Sequence, residues 1–178
     1  MIVALEGLEG VGKTTLGKKV AERMGGIYLK SPPEEMNESR GFIAKMPDPR
    51  CAFYFYLSSL YAIQPPIQVA LASGTPVIVD RYLLSTIAYH DQGRSFDPPP
   101  FDASGLFQAA LTVNVRCAPE LREARLGGRG FNIFERSASD ADALAAFFSR
   151  ECSQEFWNND GVDVEVGRLV ESISCWLG

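Results

Sequence analysis

Short apolar runs alternate along the chain with longer segments in which apolar residues recur at helical spacing. This alternation predicts an α/β domain built on a largely parallel sheet. The first run, residues 2–5, is apolar throughout, which is typical of a central strand buried on both faces. Strands are predicted at residues 2–5, 27–29, 76–79, 111–115 and 162–166. The expected fold class is therefore α/β, a three-layer α/β/α arrangement around a five-stranded parallel sheet.

Helices are expected between these strands and after the last of them. A helix over residues 13–24 should end at the glycine pair 25–26, because glycine readily adopts the left-handed conformation that closes a helix. Residues 51–73 are apolar on most sides and predict a long buried helix, which Pro65 and Pro66 must break or kink. The remaining predictions are helices at 83–90, 106–110, from 119 onward, at 139–157 and at 169–177, and a loop with about one helical turn at 31–49.

Composition narrows the classes of function. The chain has 178 residues, 46% of them hydrophobic and 22% charged, so we expect one domain over residues 1–178 with a sizeable core. A net charge of −5 argues against a large nucleic-acid-binding surface. No apolar run approaches the roughly 20 residues of a membrane-spanning helix. We therefore expect a cytoplasmic protein without a membrane or nucleic-acid partner. The four cysteines lack the spacing of a metal site.

Residues 7–14, GLEGVGKT, match the phosphate-binding pattern G-x-x-x-x-G-K-[ST] in full, directly after a predicted strand and before a predicted helix. Glycines let consecutive backbone N–H groups point at phosphate oxygens, and the helix N-terminus adds a positive dipole end. Lys13 is expected to reach the β- and γ-phosphates of ATP, and the Thr14 hydroxyl to bind Mg²⁺. The residues predicted to hold the nucleotide are Gly7, Gly10, Val11, Gly12, Lys13, Thr14 and Thr15. This loop alone does not separate kinases from GTPases and ATPases.

A second motif, residues 80–90, reads DRYLLSTIAYH and follows a predicted strand. Together with the opening segment LEGLEGVGKTT at residues 5–15, it resembles the thymidylate kinases within the nucleoside and nucleotide monophosphate kinases. Residues 67–74 and 119–129 also resemble the corresponding family segments, so the resemblance runs along nearly the whole chain. It implies a P-loop nucleotide-kinase fold, ATP and Mg²⁺ as cofactors, and a small-molecule phosphate acceptor.

Asp80 and Arg81 are the central residues of the second motif. Asp80 ends an apolar strand, so its carboxylate should lie at the carboxyl edge of the sheet, where ligands of α/β folds bind. It can hold Mg²⁺ or accept a proton from the acceptor. The planar guanidinium of Arg81 suits bidentate phosphate binding. The alternative is an ordinary ion pair at the surface.

The resemblance assigns further catalytic candidates. Family members carry an acid at the position of Glu9, close to the transferred phosphoryl group, although a solvated loop acid is the alternative. Val11 lies where some members carry a catalytic arginine, and members without it usually place basic residues in a mobile lid. The lid corresponds to residues 125–136, with Arg125, Arg129 and Arg136 as the candidates for stabilising transferred charge, although an ordinary solvated loop is the alternative.

The acceptor site shows departures from the family. Phe55 aligns with the phenylalanine that stacks on the acceptor base, although the alternative for the aromatic run 53–56 is a place in the core. Ser59 lies where the family usually has a phosphate-binding arginine. His90 replaces a family glutamine and is either a base contact or a structural residue. The other predicted acceptor-binding residues are Lys30, Arg50, Arg81, Ser85, Tyr89 and Arg94.

Three functions follow from these features. The first is a thymidylate kinase-like transfer from ATP to dTMP or a related nucleotide. The second keeps the fold but phosphorylates a nucleoside or another hydroxyl-bearing metabolite, which Ser59 and Lys30 favour. The third is an ATPase switch without an acceptor, which the second motif argues against. The resemblance also implies that a homodimer can form, for which the apolar face of residues 53–63 is the candidate surface.

Overall fold

A computed structural model of the protein describes residues 1–90, 99–127 and 138–177. Within these residues, five parallel strands form one sheet in the order β2-β3-β1-β4-β5. The strands are β1 (Ile2–Glu6), β2 (Ile27–Lys30), β3 (Val77–Asp80), β4 (Leu111–Arg116) and β5 (Gln154–Trp157). Leu5 of β1 pairs with Asp80 of β3 and with Val113 of β4, so the carboxyl ends of the three central strands meet at one edge.

Helices cover both faces of the sheet, as the sequence predicts. They are α1 (Lys13–Arg23), α2 (Asn37–Ile43), α3 (Pro49–Ala62), α4 (Gln64–Ala72), α5 (Leu83–His90), α6 (Pro119–Leu126), α7 (Ala138–Glu151) and α8 (Val162–Leu177), with a 3-10 turn at Glu34–Met36 before α2. In the described part of the chain, none of these helices is long and apolar enough to cross a membrane.

The alternation of side chains along β1 explains the two-sided core. Val3 and Leu5 pack against α1 and α8 on one face, whereas Ile2 and Ala4 pack against α3 and α4 on the other. All four side chains are buried. The continuous apolar run therefore predicts the position of this strand correctly, and the three-layer α/β/α fold is confirmed.

The fifth strand lies elsewhere than the sequence predicts. The alternating residues 162–166 are the first turns of α8, and the real β5 lies inside the segment predicted as a helix to residue 157. Val166, Leu169 and Ile173 are buried at helical spacing, while Val164 is 57% exposed. The helical period of this segment thus outweighs its short period-two pattern.

One predicted helix is absent, and one predicted break is present. Residues 106–110, predicted as helix, have no helical turn: the Phe107 N–H donates to Gln64 Oε1 at 2.9 Å, and the Phe107 carbonyl accepts from Tyr82 at 2.8 Å. Because these side chains satisfy the backbone, the segment needs no helix. The long predicted helix is interrupted, as its proline pair predicts: it divides at Ile63 into α3 and α4, and Pro65 lies within the first turn of α4, where its missing N–H costs little.

Candidate active site

The phosphate-binding loop connects the end of β1 to the start of α1, as the motif requires. Gly7 and Gly12 both adopt positive φ, at 121° and 93°. A Cβ on Gly7 would overlap the Val115 carbonyl, and one on Gly12 would lie 2.5 Å from Asn158 Nδ2. These positions need glycine for conformation and for space, because the loop is packed tightly against the ends of β4 and β5.

Lys13 is folded back over the loop that it follows. Its ammonium group donates to the Gly7 carbonyl at 3.0 Å and the Leu8 carbonyl at 2.5 Å, and the side chain is 5% exposed. It nevertheless lines the cavity described below. Since a charged phosphate oxygen is a stronger acceptor for an ammonium group than a neutral carbonyl, this lysine can transfer its hydrogen bonds to a bound triphosphate.

Asp80, the last residue of β3, accepts two hydrogen bonds on one oxygen. The Thr14 hydroxyl donates to Asp80 Oδ2 at 2.6 Å, and the Tyr28 hydroxyl donates to the same atom at 3.0 Å. Burial and the neighbouring carboxylate raise the pKa of Tyr28, so its hydroxyl stays protonated and acts as a donor. The other oxygen, Asp80 Oδ1, is buried and has no hydrogen-bond partner among the described residues.

A divalent cation fits this arrangement. An unpartnered buried carboxylate oxygen is costly unless a ligand satisfies it, and Asp80 Oδ1 belongs to a side chain that lines the cavity next to Thr14. Mg²⁺ prefers oxygen ligands and is usually held by one or two side chains together with substrate phosphates. The Thr14 hydroxyl and the Asp80 carboxylate are such a pair.

Arg81 holds a strained position directly after Asp80. Its φ of 70° lies in the left-handed region, which is uncommon for a residue with a Cβ. The guanidinium donates to the Tyr89 hydroxyl at 2.9 Å and to the Gly7 carbonyl at 3.2 Å, and lies 5.0 Å from the centre of the Tyr89 ring. Burial by itself lowers the pKa of Arg81, but Tyr89 and Asp80 raise it more, so the group stays charged beside the loop.

Glu6, the last residue of β1, forms hydrogen bonds with the segment that follows Arg81. The sequence does not predict it as a site residue. It is fully buried, accepts from the Tyr82 N–H at 3.0 Å and from the Ser85 hydroxyl, and lies near Arg81. Burial raises the pKa of the Glu6 carboxyl, while the two hydrogen bonds and Arg81 oppose the shift. Glu6 thus connects the end of β1 to the turn that carries Arg81 and to the start of α5.

Two arginines of α6 donate hydrogen bonds to backbone carbonyl groups of the phosphate loop. Arg122 Nε donates to the Glu9 carbonyl at 2.8 Å, and Arg125 Nη1 donates to the Val11 carbonyl at 3.1 Å. Asn158, which follows β5, also donates to the Val11 carbonyl, at 2.8 Å. Three side chains thus restrain the loop through its carbonyl groups. Arg125, predicted for the lid, is therefore placed against the loop backbone.

A cavity of about 440 Å³ crosses the carboxyl edge of the sheet. At the β5 side it is lined by Arg125 and Asn158, and at the β2 side by Lys30, Arg40 and Tyr56. The centre of its wall is formed by the phosphate loop and the second motif, through Glu9, Gly10, Gly12, Lys13, Thr14, Thr15, Asp80, Arg81, Ser85 and Tyr89. One cavity thus runs past the loop from one side of the sheet to the other.

Three of the predicted acceptor residues do not line this cavity. Ser59 is fully buried, and Arg50 is exposed in a bidentate pair with Asp48, at 2.6 Å between Nη2 and Oδ2. Phe55 meets the ring of Tyr56 edge to face, and only Tyr56 of the two lines the cavity. The stacking role of Phe55 stays a prediction. The Val11 side chain, predicted at a family arginine position, is buried in the core.

Three further predicted residues lie where little can be described. Arg94 and Arg129 fall outside the described residues, as does most of the predicted lid, and of His90 only the backbone, at the end of α5, is described. Conversely, the sequence did not point to Tyr28, Arg40, Tyr56 or Asn158. A polar residue at the end of a parallel strand is a recognisable signal of a ligand site. The sequence did not give this signal for Asn158, because it predicted the fifth strand at residues 162–166 and not at residues 154–157.

Comparisons with known proteins agree with this geometry. A sequence model of the family described as thymidylate kinase matches residues 5–155 of the chain. The solved structure of thymidylate kinase from Candida albicans aligns with a TM-score of 0.78 at 18% identity, covering 98% of this chain and 91% of that one. That of thymidylate kinase from Ehrlichia chaffeensis aligns with a TM-score of 0.64 at 16% identity, covering 97% and 98%. At these identities the two structures establish a shared fold.

Proposed function

The chain belongs to the thymidylate kinase family and is a nucleotide phosphotransferase, and from this premise we propose that its acceptor is a deoxynucleoside monophosphate, dTMP first of all. The phosphoryl donor implied by the family is ATP. The observation that carries the proposal is the cationic β2 end of the cavity, where Lys30 and Arg40 line the wall next to Arg81 at its centre.

An acceptor phosphate explains this concentration of positive charge. Lys30 ends β2, Arg40 lies on α2, and Arg81 follows β3, so residues from three separate elements converge on one region. Each charge-assisted hydrogen bond to a phosphate contributes roughly 1.5–3 kcal/mol. Arg40 thus offers a replacement for the family arginine whose position Ser59 occupies, on α2 instead of α3.

The residues around the phosphate loop suit direct transfer between two bound nucleotides. The loop N–H groups and Lys13 bind the donor phosphates, while Arg81 lies between loop and acceptor end and is held in place by Tyr89 and Gly7. Phosphoryl transfer passes through a loose transition state in which positioning and charge stabilisation supply most of the catalysis. Mg²⁺, held by Thr14 and Asp80, would neutralise charge on the donor phosphates and orient them.

If the acceptor is a monophosphate, Asp80 is not needed as a general base and can serve as a metal ligand. The second ionisation of a phosphate monoester has a pKa of about 6, so at neutral pH the attacking oxygen is already anionic and needs no general base. Asp80 is therefore free to bind the cation. A nucleoside acceptor would need a base for its hydroxyl group and would leave Lys30 and Arg40 without an anionic partner among the described residues, so the nucleoside alternative is not favoured. An ATPase switch would have no use for the acceptor end of the cavity.

The experiment that tests the acceptor is ADP release from Mg-ATP, coupled to a reporter enzyme, across a panel of acceptors. The panel contains dTMP, the other nucleoside monophosphates, thymidine and other nucleosides. The proposal predicts turnover of dTMP at an ordinary kinase rate, about 1–100 s⁻¹, and none with thymidine. Turnover of a nucleoside without turnover of any monophosphate would overturn the acceptor assignment, and ADP release independent of any acceptor would indicate a simple ATPase.

The oligomeric state and the cellular location of the enzyme stay predictions. In α3, Phe53, Leu57 and Leu60 face the core, so a homodimer through this helix would have to use the opposite side, where Tyr54 is 48% and Tyr61 39% exposed. Light scattering after size-exclusion chromatography would detect such a dimer. A cytoplasmic location is proposed because ATP and nucleotide acceptors are found there, and fractionation of cells that express the protein would check it.

A further inference from the structure

Tyr28 on β2 contacts Asp80, the proposed metal ligand at the end of β3. Its hydroxyl donates to Asp80 Oδ2 at 3.0 Å, although the two residues are separated by 52 positions in the chain. Its ring is held by α1, since a Cβ on Gly17 would come within 3.1 Å of it and the Lys18 ammonium lies 5.7 Å from its centre. The phenol is thus fixed before any ligand binds.

The hydrogen bond restricts how the Asp80 carboxylate can turn. Thr14 and Tyr28 both donate to Oδ2, whereas Oδ1 has no hydrogen-bond partner in the part of the chain that the structure describes. The Thr14 hydroxyl is also a proposed metal ligand, so its bond to Asp80 is exchangeable. Tyr28 lies on β2, outside the phosphate loop, and its bond to Asp80 can persist while Thr14 turns to the cation.

We propose that Tyr28 is a positioning residue for the metal site, which holds the Asp80 carboxylate with Oδ1 available to the cation. The inference rests on the proposed role of Thr14 and Asp80 in binding Mg²⁺. A phenol suits this task because it is a neutral donor: it orients the carboxylate without neutralising the charge that attracts the metal. A lysine or arginine in its place would compete with the cation for Asp80. Partners of metal ligands commonly alter metal affinity by about 10- to 100-fold when they are removed.

The test measures metal binding separately from turnover. Mn²⁺, the probe, is titrated into the protein–ADP complex, and free Mn²⁺ is read by electron paramagnetic resonance. The affinity of ADP is measured by calorimetry in EDTA. The variants are Tyr28→Phe, Asp80→Asn and the double variant, with Tyr61→Phe as matched control because it also removes a hydroxyl that donates to an oxygen, here the Asp102 carbonyl at 2.7 Å.

Tyr28→Phe is expected to weaken Mn²⁺ binding about 10-fold and to leave ADP affinity in EDTA within about twofold, since the ring and its packing remain. In the Asp80→Asn background the same change should have no further effect, and Tyr61→Phe should behave as wild type. Equal losses of Mn²⁺ and metal-free ADP binding, or a full effect without Asp80, would indicate a merely structural tyrosine and overturn the inference.

The same series separates this inference from the metal site itself. If Asp80→Asn binds Mn²⁺ as tightly as wild type, the proposed metal site fails, and the role of Tyr28 fails with it. If Asp80→Asn is impaired while Tyr28→Phe binds Mn²⁺ normally, the metal site stands and only the role of Tyr28 is overturned.

Discussion

The Ser59 hydroxyl lies 2.8 Å from the Ser31 hydroxyl, and both side chains are buried. Because Ser59 also donates to the Tyr56 carbonyl at 2.7 Å, it accepts the hydrogen bond from Ser31. Ser31 and Tyr56 line the cavity, whereas Ser59 does not. The residue that replaces the family arginine therefore acts from behind the cavity wall, by fixing two residues that form it.

Replacing Ser59 with alanine should lower the free energy of unfolding by about 1–3 kcal/mol, because the buried Ser31 hydroxyl loses its acceptor. Urea denaturation would measure the loss. In the Ser31→Ala/Ser59→Ala double variant the total loss should be smaller than the sum of the single losses, since neither hydroxyl is then left unpaired. Additive losses would show that the two side chains do not interact.

Arg40→Ala should raise the KM for the monophosphate acceptor by about 10- to 150-fold, the equivalent of one charge-assisted hydrogen bond. The KM for ATP should change little, because Arg40 lies on α2 at the acceptor end of the cavity. Steady-state kinetics with each substrate varied in turn would check both values. Arg150→Ala is the matched control, since this exposed arginine of α7 pairs with Glu151. An unchanged acceptor KM in Arg40→Ala would contradict the assignment of the acceptor phosphate.

Lys13→Met should lower kcat by about 10²–10³-fold, the usual effect of losing a donor that stabilises charge in a transition state. Met keeps most of the length of the buried side chain, so folding should be retained. Lys19→Met is the control on the same helix: its exposed ammonium binds Asp163 at 2.8 Å, and a surface pair of this kind contributes about 0–1 kcal/mol. Similar kcat values for the two variants would argue against phosphate binding by Lys13.

Arg125→Ala should weaken ADP binding by about 10-fold or more even in EDTA, because the Val11 carbonyl loses a charged donor and the phosphate loop is less restrained. Calorimetry would measure the affinity. A loss confined to kcat, with ADP affinity intact, would instead support the lid role predicted from the sequence.

Glu6→Gln should change how stability depends on pH. Burial raises the folded-state pKa of Glu6 above its ordinary value of 4.5. As pH rises above this value, the unfolded state loses the proton first, so the wild-type protein loses stability until the folded-state pKa is passed. Glutamine does not titrate. The free energy of unfolding of the variant minus that of the wild type should therefore increase from pH 4.5 upward, as urea denaturation across pH would show. A difference independent of pH would contradict the raised pKa.

Several elements of the fold were predictable because their signals are local. The buried strand β1, helix α1 and helix α5 lie where the apolar patterns place them. The fifth strand does not lie where the pattern predicts it, because residues 162–166 alternate between apolar and polar as a strand does, while residues 154–157 carry no distinctive pattern. Only tertiary packing decides which segment joins the sheet: residues 154–157 pair with β4, whereas residues 162–166 belong to α8, which packs against α1.

The sequence by itself determined the phosphate loop and the position of Asp80 and Arg81, since a glycine-rich turn and a carboxylate after a buried strand follow from neighbouring residues alone. Tertiary structure alone brought Tyr28 to Asp80, Arg40 to the acceptor end of the cavity and Asn158 to the Val11 carbonyl. The physical reason is that these contacts form between elements far apart in the chain. The parallel sheet aligns its strands so that Tyr28 of β2 reaches Asp80 and Asn158 after β5 reaches the phosphate loop, and α2 adds Arg40 at the same edge.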